Sequence, residues 1–296
     1  LGRPLIEDER EQLIQLLRQT LTQGYEQSPN AQLALTYEVR GTSGLTKELT
    51  CDVALVLPSL MDTYQHWTQQ APNALFGQYA DAMVMAVVET LPLGSPVLDV
   101  GAGYGRNAVA IAQQGHPVDA LDLSPEFVMN LKAAVASLPI QPRVGDVLDP
   151  NLSLPMNHYQ LVILSEVVSH FRNPAQLRQL VERVCACLQP GGILVLNCFL
   201  AHPDYLPTSL VVEMSQVAWS SLFTWAEVEA AYSGLPLQLV EETPVLAYEQ
   251  ANLPPEAWPP TPWYEDWASG RSIFPFLGTD PPVSFRWLRF EKRLGA

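Results

Sequence analysis

The chain has 296 residues, 48% of them apolar, with 31 acidic against 16 basic side chains and a formal net charge of −15. That length and apolar content suit one large α/β domain carrying additions, or a domain with a small companion, and exclude global disorder. The acid excess argues against nucleic acid and anionic membranes as partners, since both call for clustered Lys and Arg.

The nearest approach to a basic cluster, Arg286, Arg289, Lys292 and Arg293, has the spacing of a terminal strand and its exit. No apolar run is long enough to span a bilayer; Val97 to Ala112 is broken by Asp99, three glycines, Arg106 and Asn107. The chain moves early into Glu7-Asp8-Glu9-Arg10-Glu11, unlike a secretory leader, so a soluble, cytoplasmic protein is expected. Cys51, Cys185, Cys187 and Cys198 read as reduced thiols, and neither they nor the histidines have ligand spacing, so no metal is expected.

In chain order, Leu13, Leu16, Leu17 and Leu21 predict an amphipathic helix over 6–22. Residues 33–39 and 49–57 read as two strands joined around Gly41-Thr42-Ser43-Gly44, and 59–69 and 74–90 as helices. From 96 to 199 strand and helix patterns alternate. The strands are 97–100, 118–121, 143–144, 160–164 and 193–196, and the helices 107–114, 126–137 and 175–188. Ser124-Pro125 opens the second of these helices as cap and first-turn proline. Such alternation predicts a parallel sheet covered on both faces. A helix over 225–232 and strands over 237–242 and 286–291 follow. Between those strands, residues 250–282 are rich in Pro, Trp, Tyr and Phe. The expected domains are an N-terminal helix-plus-hairpin module over 1–72 and an α/β domain over 73–296, with 250–282 as a lid.

The sharpest chemical signal is Val97-Leu98-Asp99-Val100-Gly101-Ala102-Gly103-Tyr104-Gly105. Glycines between a strand and a helix let the backbone turn tightly and approach a cofactor closely. The dinucleotide fingerprint G-x-G-x-x-G needs a glycine at 106, where the chain has Arg106. Asp122 ends the second strand, 21 residues after Gly101, where a carboxylate can accept from ribose hydroxyls. Gly145-Asp146-Val147, Ser165-Glu166-Val167 and Leu188-Gln189-Pro190-Gly191-Gly192 close the third strand, close the fourth and enter the fifth.

In this order the markers resemble the class I S-adenosylmethionine-dependent methyltransferases. The resemblance implies a Rossmann-like, doubly wound, mostly parallel seven-stranded sheet with S-adenosylmethionine as cofactor. It places Asp99, Gly101, Ala102, Gly103, Gly105, Asn107, Asp122, Leu123, Asp146, Val147, Ser165 and Glu166 around that cofactor, Asp146 and the Val147 N–H facing its adenine. His170 and Tyr79 are the candidate catalytic side chains. Tyr64, His66, Trp67 and Phe76, before the first strand, and Trp258, Trp263, Tyr264, Trp267, Arg271 and Phe274 are candidates for facing the acceptor.

Within the superfamily, 105–122 and Phe223-Thr224-Trp225-Ala226-Glu227-Val228 look most like the tellurite-resistance methyltransferases. Those relatives carry His and Arg in a short linker before the last strand. This chain has Tyr248-Glu249-Gln250-Ala251-Asn252 and the aromatic insertion there, so a small organic acceptor is expected rather than an oxyanion. A protein or peptide acceptor, and a non-catalytic binding protein on the same fold, are the alternatives.

Overall fold

A computed structural model of the chain describes residues 5–28, 31–40, 48–58, 62, 77–274 and 278–294. By internal contacts the chain divides into two units, Leu1–His66 and Trp67–Ala296.

The first unit holds α1 (Glu7–Gln27) and the antiparallel strands β1 (Gln32–Arg40) and β2 (Glu48–Val56). Three acidic residues in the first turn of α1 suit its positive end, and the Glu9 carboxylate accepts the Ile6 N–H at 3.0 Å. The helix runs five residues past the predicted 22. A side chain at buried Gly24 would press on Leu55 and Ala31, so glycine sets how closely α1 meets the hairpin. The turn around Gly41–Gly44 lies outside the described residues, as does most of the predicted helix over 59–69.

The second unit is built on one large sheet. Its elements are α2 (Ala82–Val88), β3 (Val97–Val100), α3 (Arg106–Gln113), β4 (Val118–Asp122), α4 (Pro125–Ala134), β5 (Ile140–Val144), β6 (Tyr159–Leu164), α5 (Pro174–Cys187) and β7 (Leu188–Ala201). There follow α6 (Ser209–Val217), β8 (Leu222–Phe223), α7 (Trp225–Tyr232), β9 (Leu237–Pro244), α8 (Val245–Asn252), α9 (Tyr264–Ala268) and β10 (Val283–Lys292). The strand order is β5-β4-β3-β6-β7-β10-β9. The five strands up to β7 pair in parallel, whereas β10 runs antiparallel to both β7 and β9. The seven expected strands are all present; two-residue β8, pairing with β7, is an unforeseen eighth. The fifth strand starts at Leu188, not Ile193, because Leu188 already pairs with Tyr159; the register shifts before Leu161 meets Ile193, and Gly191, at φ 76°, lies in that irregularity.

Alternation along the strands sorts side chains to the two faces. Leu98, Val100, Val162 and Leu164 join the core beneath α5 and α7. Val97, Leu161, Ile163, Val195 and Phe199 join the core shared with α2, α3 and α9. Caps fix where the helices begin. The Ser124, Asn173 and Thr224 side chains accept the N–H groups of Phe127, Gln176 and Glu227. The chain leaves β3 towards β4 and returns across it to β6. That reversal leaves a crevice at the carboxyl ends of β3 and β6, where open α/β sheets bind ligands.

Candidate cofactor site

The glycine loop is held by the next strand. The N–H groups of Gly101 and Ala102 donate to the Leu121 carbonyl at 2.8 and 3.1 Å, and the Gly103 N–H donates to Asp122 Oδ2 at 2.8 Å. The other oxygen of Asp122 accepts the Ser124 N–H at 2.8 Å, which fixes the carboxylate across the end of β4. Gly101 has φ 70°, and a Cβ there would sit 2.5 Å from Val167 Cγ2. Gly105, at φ 87°, has Leu131 in the space its Cβ would take. Both positions therefore exclude side chains on backbone and on space.

Asp99 lies on the face of β3 that carries α3. It is 3% exposed, and its Oδ2 has no hydrogen-bond partner among the described residues. Burial pushes its carboxyl up to about 7, against the pull of Arg106. A buried, half-satisfied carboxylate costs stability unless a cation comes to it. At the end of β5, Gly145 N–H donates to the Asp122 carbonyl at 2.9 Å, and Asp146 Oδ1 accepts the Leu148 N–H at 2.8 Å. Asp146 is exposed, Val147 buried, and Leu123 half-buried between Asp122 and the α4 cap.

A charged clasp next to the loop was not foreseen. Arg106 donates through Nη1 to Asp81 at 2.5 Å and through Nη2 to Glu166 at 2.7 Å and Ser165 Oγ at 3.2 Å. Ser165 Oγ donates in turn to Asp81 Oδ2 at 2.6 Å. Asn107, expected beside the cofactor, spends its side chain on Asp81. Its Nδ2 donates to Oδ2 and its Oδ1 accepts the Asp81 N–H, both at 2.9 Å. Burial opposes the Arg106 cation, yet Asp81 and Glu166 outweigh it and raise its pKa. Burial raises the Glu166 carboxyl, with Arg106 pulling the other way. Glu166 itself stands at φ 60°, a left-handed conformation for a non-glycine residue, and its N–H donates to Asn197 Oδ1 at 2.6 Å. The clasp ties together the segment before α2, the start of α3 and the exit of β6.

Glu249, on α8, is a second group missed from sequence. At 1% exposure its carboxylate accepts the N–H groups of Ala82 and Met83 and the Trp287 Nε1–H. Burial, then the nearby Asp81, pushes it up to about 7. Asp81 is 84 residues from Ser165 and 25 from Arg106, so no local pattern announces this grouping. The available signal was an arginine opening a buried helix in an acidic chain, which needs a partner.

The aromatic insertion is seated in the core. Tyr264, Trp267, Ala268 and Ile273 are buried, and Trp267 packs edge-on against Phe199 and Phe285 with ring centres 5.1 and 4.9 Å away. Tyr264 is 3% exposed, and burial, then the charges of Glu166 and Asp81, raises its phenol well above the ordinary value. Trp258 and Phe274 are half-buried against the same core, whereas Trp263 and Arg271 are exposed. Tyr79 is 44% exposed. The His170 ring stands 5.3 Å from the Trp219 ring, and burial holds its pKa down at about 4, which makes it a weak base. Tyr64, His66, Trp67 and Phe76 lie outside the described residues. No group of three or more His, Cys, Asp or Glu side chains among the described residues could hold a metal.

Residues 97–192 match a family described as a methyltransferase domain. Over 121 residues the chain is 36% identical to a ubiquinone biosynthesis O-methyltransferase of Xanthomonas campestris pv. campestris, covering 40% of this chain and 48% of that protein. It thus spans about half the length of the curated relative it matches. Among solved structures it is similar to the [4+2]-cyclase SpnF, with a TM-score of 0.58 at 15% identity over 80% of this chain and 98% of that one. It is also similar to geranyl diphosphate methyltransferase in complex with GPP and sinefungin, with a TM-score of 0.56 at 15% identity over 71% and 77% of the two chains. These likenesses establish the fold, on which one neighbour is named for a cyclisation and another for methyl transfer. The strand order, the glycine loop and the matched domain over residues 97–192 agree with one another, and in all three the chain is similar to the class I S-adenosylmethionine-dependent methyltransferases.

Proposed function

We propose that the chain transfers the methyl group of S-adenosylmethionine to a small organic acceptor. The observation that carries this reading is the pairing of Asp122, held on the Gly103 and Ser124 N–H groups, with a buried Asp99 oxygen that lacks a partner. A ligand with a ribose and a cationic amino-acid end fits that pair. Asp122 keeps lone pairs for the ribose hydroxyls, and Asp99 receives the ammonium. Asp146 and the Val147 N–H flank the adenine. Gly101, Ala102, Gly103 and Gly105 let the backbone approach, and Leu123, Ser165 and Glu166 wall the site. Asn107 acts through Asp81, as a positioning residue.

The bound cofactor supplies an activated methyl on a positive sulfonium. The chain's own task is to hold an acceptor atom behind that methyl, and positioning of this kind can supply about 7–11 kcal/mol. The Tyr264 phenol, kept protonated by burial and carboxylate neighbours, is a hydrogen-bond donor beside the clasp. Together with Trp263, Arg271 and the other described residues of the insertion it forms the acceptor side. Tyr79 and His170 remain the candidate catalytic side chains; with its pKa held at about 4, His170 is a weak base, so an acceptor whose proton is already labile or absent fits best. The acidic surface supports an acceptor other than nucleic acid.

Radiolabelled S-adenosylmethionine offered with a small-molecule extract, bulk tRNA and basic peptides tests this. Label in the small-molecule pool is expected. Label in peptides or tRNA would move the assignment to that class, and label in none would contradict methyl transfer.

A further inference from the structure

Away from the glycine loop, a cleft of about 150 Å³ opens between the amino ends of α5 and α6 and the β8–α7 turn. Its apolar walls include Phe171 and Leu222, each 7% exposed, and the half-buried Val212. Its polar lining is Arg172, Asn173, Gln216, Ser221, Thr224 and Glu227.

Arg172 is held by its backbone. Its N–H donates to Gln176 Oε1 at 2.7 Å, and its carbonyl accepts from Gln216 Nε2 at 2.9 Å, fastening it to α5 and α6. Its guanidinium, by contrast, has no hydrogen bond or ion pair to any described residue. Burial lowers its pKa, with no carboxylate compensating. In a chain with 31 acidic side chains, a half-buried cation without a carboxylate is an unmet demand.

Among the other polar side chains of the cleft, Asn173, Gln216, Thr224 and Glu227 have hydrogen bonds of their own, and the Ser221 hydroxyl is a neutral group beside them. The α5 and α7 ends are closed by their own caps, Asn173 on the Gln176 N–H at 3.0 Å and Thr224 on the Glu227 N–H at 3.3 Å. Glu227, the one acid lining the cleft, turns its Oε2 to the Thr224 N–H at 2.7 Å and hydroxyl at 2.8 Å. Arg172 is therefore the charged group left to meet an anion, with the Ser221 hydroxyl as a neutral donor in the same lining. Apolar walls favour an organic body in that space over hydrated phosphate or sulfate.

We propose that this cleft binds a small carboxylic acid with an apolar body, its carboxylate taken by the Arg172 guanidinium. Arginine suits the task because its planar fork meets both carboxylate oxygens at once. The site stands whether or not the chain transfers methyl groups, since it shares no residue with the cofactor site.

The test is calorimetric titration of the full chain with phenylacetate, its neutral isostere phenylacetamide and inorganic phosphate at fixed ionic strength. Phenylacetate is expected to bind about tenfold or more tightly than either comparison probe. Arg172→Met should lose that preference, and Arg172→Lys should keep part of it. S-adenosylmethionine binding by both variants reports that they are folded. Equal binding of acid and amide, tighter binding of phosphate, an unchanged Arg172→Met titration, or no binding of phenylacetate at millimolar concentration would each overturn the proposal.

Discussion

Asp99→Asn tests the cofactor pocket through what it costs the empty protein. Burial moves the Asp99 carboxyl from 3.8 to about 7. The folded chain therefore holds a proton there that the unfolded chain releases, and the group's stability contribution is whole below about pH 4 and lost as the pH climbs through about 7. Three pKa units correspond to about 4 kcal/mol of penalty once Asp99 is ionised. Asparagine removes that charge but puts an N–H₂ donor in place of an oxygen that lacks a partner, at about 1–3 kcal/mol. The variant should gain about 1–3 kcal/mol over wild type near pH 8 and none near pH 5, read from urea midpoints at unchanged slope. Its affinity for S-adenosylmethionine should fall about tenfold or more, because the cofactor's ammonium loses a buried anion. A variant less stable than wild type at pH 8, with cofactor affinity intact, would refute the reasoning and make Asp99 a strand-end structural residue.

Two more perturbations address the charged neighbours. Arg106→Met leaves Asp81 and Glu166 buried without their cation and should cost about 3–5 kcal/mol in urea unfolding, with Arg106→Lys recovering part of it. An unchanged midpoint would mean that the clasp is not held in solution. Glu249→Ala strands three buried donors, the N–H groups of Ala82, Met83 and Trp287 Nε1, at about 1–3 kcal/mol each. Thermal unfolding near wild type would show that those donors find other partners.

What the sequence announced was local. A glycine loop between a strand and a helix, an acid ending the next strand and a Ser-Pro helix start each declare themselves within a few residues. The structure puts them within one or two residues of where the pattern does. The clasp is non-local. Asp81 falls inside the stretch 74–90 that reads as one helix, whereas the structure begins α2 after it, at Ala82; its partners come from α3 and the exit of β6, so only the assembled sheet brings them together. Glu249 was noted only as part of a departure from the tellurite-resistance pattern. Its reach to the start of α2 depends on α8 packing there, which helical spacing alone does not convey. The insertion's aromatic content was legible, but its depth was not. Periodicity does not distinguish a tyrosine buried against a charged cluster from one on the surface, and here Tyr264 is buried while its neighbour Trp263 is exposed. Asn107 shows the reverse error, since its place in the motif suggested a cofactor contact while its side chain is spent on Asp81.

Isothermal calorimetry with S-adenosylmethionine and S-adenosylhomocysteine, on wild type and Asp122→Ala, reads occupancy of the cofactor site itself. Wild type is expected to bind both ligands, with affinity for each falling about tenfold or more in Asp122→Ala because the ribose hydroxyls lose their acceptor. Absence of binding by the wild-type chain, or equal binding by the variant, would contradict the cofactor assignment.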